Sequence, residues 1–121
     1  MPRIPDFVAH VIETLRLFGP VRPKPLFGCW ALYRDDAIFA IVRHDALYLK
    51  VDDGNRGAYD SRGLAPFVYE TKIGDSITLD YCAAPEETLE DAEAMALWAR
   101  DAYAAALRSQ AAKRGGPKKR R

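Results

Sequence analysis

Cysteine and histidine are scarce in this chain, two of each among 121 residues, and that scarcity excludes a good deal. Two thiols, Cys29 and Cys82, make no disulfide framework, which fits a reducing compartment; a cytoplasmic location is expected. A zinc site drawing on both thiols with His10 and His44 would take ligands from a helix, a turn and two strands. It would have none of the close pairs that zinc sites use. Neither a metal nor a cofactor is expected. No apolar run approaches the roughly 20 residues needed to cross a bilayer, so a membrane is not an expected partner. The start, MPRIPDFVAHVIETL, lacks the apolar core and cleavage site of a signal peptide, and Asp6 and Glu13 argue against one. There is no GxxxxGKS/T signature, and Gly54, Gly57 and Gly63 lack the strand-to-helix arrangement that cradles phosphates. Internal repeats are absent as well.

What is present is enough for one domain with a real core. The net charge of +1 conceals a division. Residues 113–121, KRGGPKKRR, carry six of the 18 Lys and Arg and no acid, which leaves residues 1–112 at −5, twelve cations against 17 acids. The expected organisation is a domain over 1–112 and a basic, flexible tail over 113–121.

Hydrophobic spacing gives the elements. Phe7, Val8, Val11, Ile12, Leu15 and Phe18 share one face of a helix over residues 6–18, capped by Asp6 and stopped by Gly19-Pro20. Pro20, Pro23 and Pro25 make the next segment an extended linker. The period then changes to 2. Residues 26–33, 37–42 and 46–51 form a three-stranded antiparallel meander with turns at Arg34-Asp35-Asp36 and Arg43-His44-Asp45. Asp52-Asp53 offer caps for a short helix ending at Gly63, and a hairpin over residues 67–81 turns through Ile73-Gly74-Asp75. After Pro85 an acidic segment leads into a long helix from Ala92, with Met95, Trp98, Ala99, Ala102, Ala105 and Ala106 on one face. The fold class is α+β: an antiparallel sheet with packed helices in two layers, in the order α-β3-α-β2-α.

The aromatic run LFGCWALYRDDAIFAIV raises a question of faces. Trp30 and Leu32 cannot share a side of the sheet with Phe27 and Tyr33. Whichever set no helix covers is a candidate interface, and the sequence leaves the choice open. An enzyme using Cys29 as nucleophile with His44 as base is the weaker alternative, since Cys29 lies in a strand with no oxyanion-forming helix start beside it. No catalytic residue is assigned. Lys113, Arg114, Lys118, Lys119, Arg120 and Arg121 are candidate contacts for nonspecific nucleic-acid binding, on charge alone, because no aromatic residue is interleaved among them.

Phe27-Gly28, Leu32-Tyr33, Phe39-Ala40, Leu47-Tyr48-Leu49-Lys50, Pro66-Phe67, Tyr69, Tyr81, Pro85-Glu86 and Trp98 stand in an order and spacing that resemble the N-terminal domain of the TfoX/Sxy family, associated with bacterial competence regulation. The likeness extends from about Phe7 to Trp98 and beyond. Two positions depart from the family pattern: Cys29 and Ala31 stand where glycines are usual, with Trp30 between them. The resemblance implies a fold similar to secretion chaperones and a single-domain, non-enzymatic regulatory or protein-interaction module, possible roles being competence or transcription regulation. It carries over no catalytic residues. The expected partner is another protein of unknown identity, with a homodimer through a sheet edge or face as an alternative.

Overall fold

The computed structural model describes residues 3–71 and 73–114, the side chains of residues 77, 113 and 114 excepted. Helix α1 spans Asp6–Thr14 and is followed by turns that carry Leu15 and Phe18 into the core. Asp6 does not cap it. The cap position is Pro5, without a side-chain hydrogen bond, and Asp6 is the first helical residue, where its charge meets the positive helix end. Gly19, at φ +138°, ends the segment.

The proline-rich segment is a strand rather than a linker. Strand β1, Arg22–Leu26, pairs antiparallel with β2, Cys29–Arg34, from Arg22 opposite Tyr33 to Leu26 opposite Cys29. An edge strand tolerates proline wherever its missing N–H would have pointed to solvent, and Pro23 and Pro25 occupy alternate positions. Strands β3, Ala37–Arg43, and β4, Ala46–Lys50, extend the meander. After helix α2, Arg56–Asp60, come β5, Pro66–Glu70, and β6, Ser76–Ala83. One antiparallel sheet results, in the order β1-β2-β3-β4-β6-β5. A 3-10 turn over Glu86–Leu89 leads to α3, Ala92–Arg114. The α+β class holds, and the first run of strands has four members instead of the expected three.

Two irregularities shape the sheet. Leu32 pairs with Ala40 but Tyr33 with Ile38, so Phe39 is an extra residue in β3. That bulge shifts the alternation by one and lets Ala37, Phe39, Ala40 and Val42 all enter the core beneath the helices. At the other end Pro66 pairs with Cys82 and Phe67 with Leu79, which bends the β5–β6 hairpin where Asp80 and Tyr81 are left over.

All three helices lie on one side of the sheet. Val8, Val11 and Leu15 from the α1 segment, Tyr59 from α2, and Met95, Ala99, Ala102 and Ala106 from α3 pack on Leu32, Phe39, Leu47, Leu49 and Cys82. The alanine stripe of α3 lets its backbone approach the strands closely. Arg34 secures one corner: its Nη1 donates to the Phe18 carbonyl at 2.7 Å, and its guanidinium lies over the rings of Phe18 and Tyr103. Asp52 secures another, accepting two hydrogen bonds from Arg108 of α3 and one from the Gly54 amide. Among the described residues no helix is long and apolar enough to cross a membrane.

A candidate interface on the helix-free face

The opposite side of the sheet has no helix packed across its middle. The last turns of α3 reach only its edge, where Ser109 and Gln110 line a cavity with Tyr33, Ile38, Lys50 and Tyr81. The same side carries a second apolar cluster. Cys29, Ile41, Phe67 and Tyr81 are buried there, flanked by Ile38, Tyr48, Tyr69 and Leu79. The sheet itself provides the cover. The bent β5–β6 hairpin curls over β3 and β4, setting Phe67 on Tyr48 with ring centroids 4.7 Å apart. Arg43 of β3 reaches across to the same hairpin, with its guanidinium 5.8 Å from the Phe67 ring and 5.5 Å from that of Tyr69. Its Nη1 also donates to the Val68 carbonyl at 3.4 Å.

The curl leaves a groove between the two ends of the sheet. Leu26 and Phe27 form one wall, Phe67, Tyr69 and Leu79 the other, and Cys29 and Ile41 the floor; the cavity is about 370 Å³. Phe27 stands at its lip and is 80% exposed. It is no strand residue: with Gly28 it forms the two-residue turn joining β1 and β2, at φ +51° and +80°. Such turns favour Asn-Gly, because a left-handed backbone crowds a large side chain. A phenylalanine here is costly for the turn and exposed to water.

Cations frame the face. Arg22 and Lys24 lie over the Tyr33 ring at 5.4 and 5.7 Å, and Lys50 over Tyr81 at 5.1 Å. Tyr81 donates to the Ile38 carbonyl at 3.5 Å, and burial raises its phenol well above the usual range.

The expected site residues separate accordingly. Phe27 and Tyr33 are on the helix-free side, whereas Leu32 is wholly buried beneath the helices and Trp30 is half-buried beside α1, against Phe7 and Val8. Leu32 and Trp30 are therefore not interface residues on the open face. Sequence reasoning missed Ile41, Arg43, Phe67, Tyr69 and Leu79. Alternation in β5 and β6 marks the last three as one side of a strand, but only the bulge carries that side across to Phe27.

Burial raises the Cys29 thiol pKa, with nearby Arg43 opposing the effect. Cys82 lies on the other side of the sheet, in the helix-covered core, so the sheet separates the two thiols. His44 occupies a tight turn at φ +51°, and His10 meets the Leu89 carbonyl through Nε2 at 2.7 Å. Among the described residues no group of three His, Cys, Asp or Glu side chains is placed to hold a metal. The basic tail falls outside the described residues. Only the backbones of Lys113 and Arg114 are described, at the end of α3, and Lys118, Lys119, Arg120 and Arg121 lie beyond it.

A model of the TfoX N-terminal domain matches residues 13–106, which takes in the end of α1, all six strands, α2 and most of α3. No curated protein matches the chain.

Proposed function

Because the chain belongs to the TfoX N-terminal domain family, we propose that it is a non-catalytic regulatory module that works by binding another protein across the helix-free face of its sheet. One observation carries the reading: an apolar groove of about 370 Å³ lies beside a phenylalanine that is 80% exposed. Exposed apolar surface of this kind costs solubility unless a partner covers it. The turn that presents Phe27 would be more stable with another residue. Burial of the Cys29 thiol, which keeps it protonated, weighs against an enzyme built on that residue. A role in competence or transcription regulation is the finer form of this proposal and rests on the family alone.

A photo-crosslinking residue placed at position 27, with a control at exposed Leu97 on α3, tests the reading in cells. Adducts are expected from position 27 only, and they should survive removal of residues 113–121. Equal adducts from both positions, or none from position 27, would contradict an interface on this face.

The rival is a nucleic-acid-associated regulator that uses the tail, favoured by the segregation of six cations into residues 113–121. Duplex-DNA binding measured against salt, with and without that segment, separates the two. If all six charges met phosphates, the log–log slope would reach about −5 and vanish on truncation.

A further inference from the structure

We propose that the groove on the helix-free face receives an acidic peptide segment of the partner protein, one large apolar side chain filling the cavity while carboxylates meet the surrounding cations. This deepens the interaction-module reading and rests on it.

Charge is the first argument. The strand residues on this face include Arg22, Lys24, Arg43 and Lys50, each set over one of its aromatic rings. The strands contain two acids, Glu70 and Asp80. They alternate with Tyr69 and with Leu79 and Tyr81, and therefore point to the other side, where Asp80 meets Arg56 of α2 at 3.8 Å. Among the turns, Asp36 lies at the far edge of the face, beside Tyr33, Lys50 and Tyr81. Four strand cations against that one acid, on a body of net charge −5, are a local reversal of sign. Such a face steers acidic partners toward it and repels basic ones.

Shape is the second. The groove is apolar on both walls, and the Arg43 guanidinium beside it lies over Phe67 and Tyr69. An apolar anchor with an acidic neighbour satisfies both features at once. The alternatives fit less well. Stacking nucleobases need open ring faces. Here only Phe27 offers an open ring. Phe67 is 2% and Tyr81 8% exposed, and cations already lie over the Tyr33, Tyr69 and Tyr81 rings, so there is no succession of platforms for neighbouring bases. A second copy of the chain docking face to face would bring two basic rims together, which is repulsive.

The test is titration of the isotope-labelled full chain with a short synthetic peptide, one phenylalanine flanked on both sides by aspartate and glutamate, followed by NMR. Amide shifts are expected at Cys29, Ile41, Phe67 and Tyr69. Affinity should fall about tenfold when the peptide's phenylalanine becomes alanine, and about tenfold again for Arg43→Glu in the protein. Phe27→Asn, which suits the turn, should weaken binding while leaving the rest of the spectrum folded. Equal affinity for the alanine peptide, or for one with lysines replacing the acids, overturns the proposal. So do shifts confined to other surfaces. The same groove shifts from an oligothymidine would reassign the groove to nucleic acid, and concentration-dependent groove shifts without any peptide would reassign it to a second copy. Absence of groove shifts with the peptide defeats the acidic-segment proposal. The broader reading fails only if the position-27 crosslinker also finds nothing.

Discussion

The two faces of this sheet are built from the same alternating strands but buried by different means. On one side, three helices cover the strands, and Leu32, Phe39, Ala40 and Leu49 lose all contact with water. On the other, cover comes from a bent hairpin and from cationic side chains laid over rings, and a groove is left open. Stability concentrates where close-packed elements enclose a side chain on every side. Binding surfaces arise where the enclosure is unfinished. The helix-covered face is therefore the source of the fold, and the open face is where we propose that a partner binds.

Paired truncations test that division most severely. Phe39→Ala, at a fully buried position 5.0 Å from the Phe18 ring, should cost about 3–5 kcal/mol in urea unfolding. Phe67→Ala on the open side should cost about 2 kcal/mol, because it widens a groove that water already reaches instead of leaving a closed cavity. Equal losses would erase the distinction between the faces.

Phe27→Asn sharpens the contrast from the functional side. Relief of the left-handed backbone should stabilise the protein by about 1 kcal/mol, seen as a raised unfolding midpoint. A loss of stability would mean that Phe27 packs usefully on the groove even without a partner. Tyr59 provides the matching case within the helix-covered core. Its hydroxyl is buried with no hydrogen-bond partner among the described residues, and burial raises its pKa. Tyr59→Phe should be neutral or stabilising by up to about 1 kcal/mol, because the cost of an unsatisfied polar group disappears. A clear loss would reveal a partner for that hydroxyl.

The smallest effect is expected at the surface clamp between Asp52 and Arg108. Their side-chain hydrogen bonds lower the Asp52 pKa to about 2. A depressed carboxylate pKa contributes stability that is complete above the unfolded value, near 4, and is lost as pH falls toward 2. Asp52→Asn should therefore lower the midpoint slightly at neutral pH, and the difference from the parent should close below about pH 4. A difference that persisted at the lowest pH would point to a role other than the ion pair.

Much of the helix-covered side was legible in advance. The α3 stripe from Met95 to Ala106 is buried as its spacing predicts, and the meander turns fall at Asp35-Asp36 and His44-Asp45. Prolines obscured β1, because Pro23 and Pro25 suppress strand signals although an edge strand can accept them. The candidate site was legible only in part. Alternation offers Phe27 with Tyr33 and Trp30 with Leu32 as equal alternatives, and the second pair belongs to the covered side. Period-2 alternation separates two faces without saying which one the helices choose.

The sequence by itself determined the class of fold, the elements that are amphipathic, the two sets into which the aromatics divide, and the family. Each follows from the spacing of side chains along a local backbone. Only the tertiary structure decided which set meets water, that Arg43 lies over Phe67 and Tyr69, and that Phe27 and Leu79 line one groove. Those facts depend on the extra residue in β3, the bend in β6 and the packing of three helices on a single side. They join residues distant in sequence, so local periodicity does not encode them.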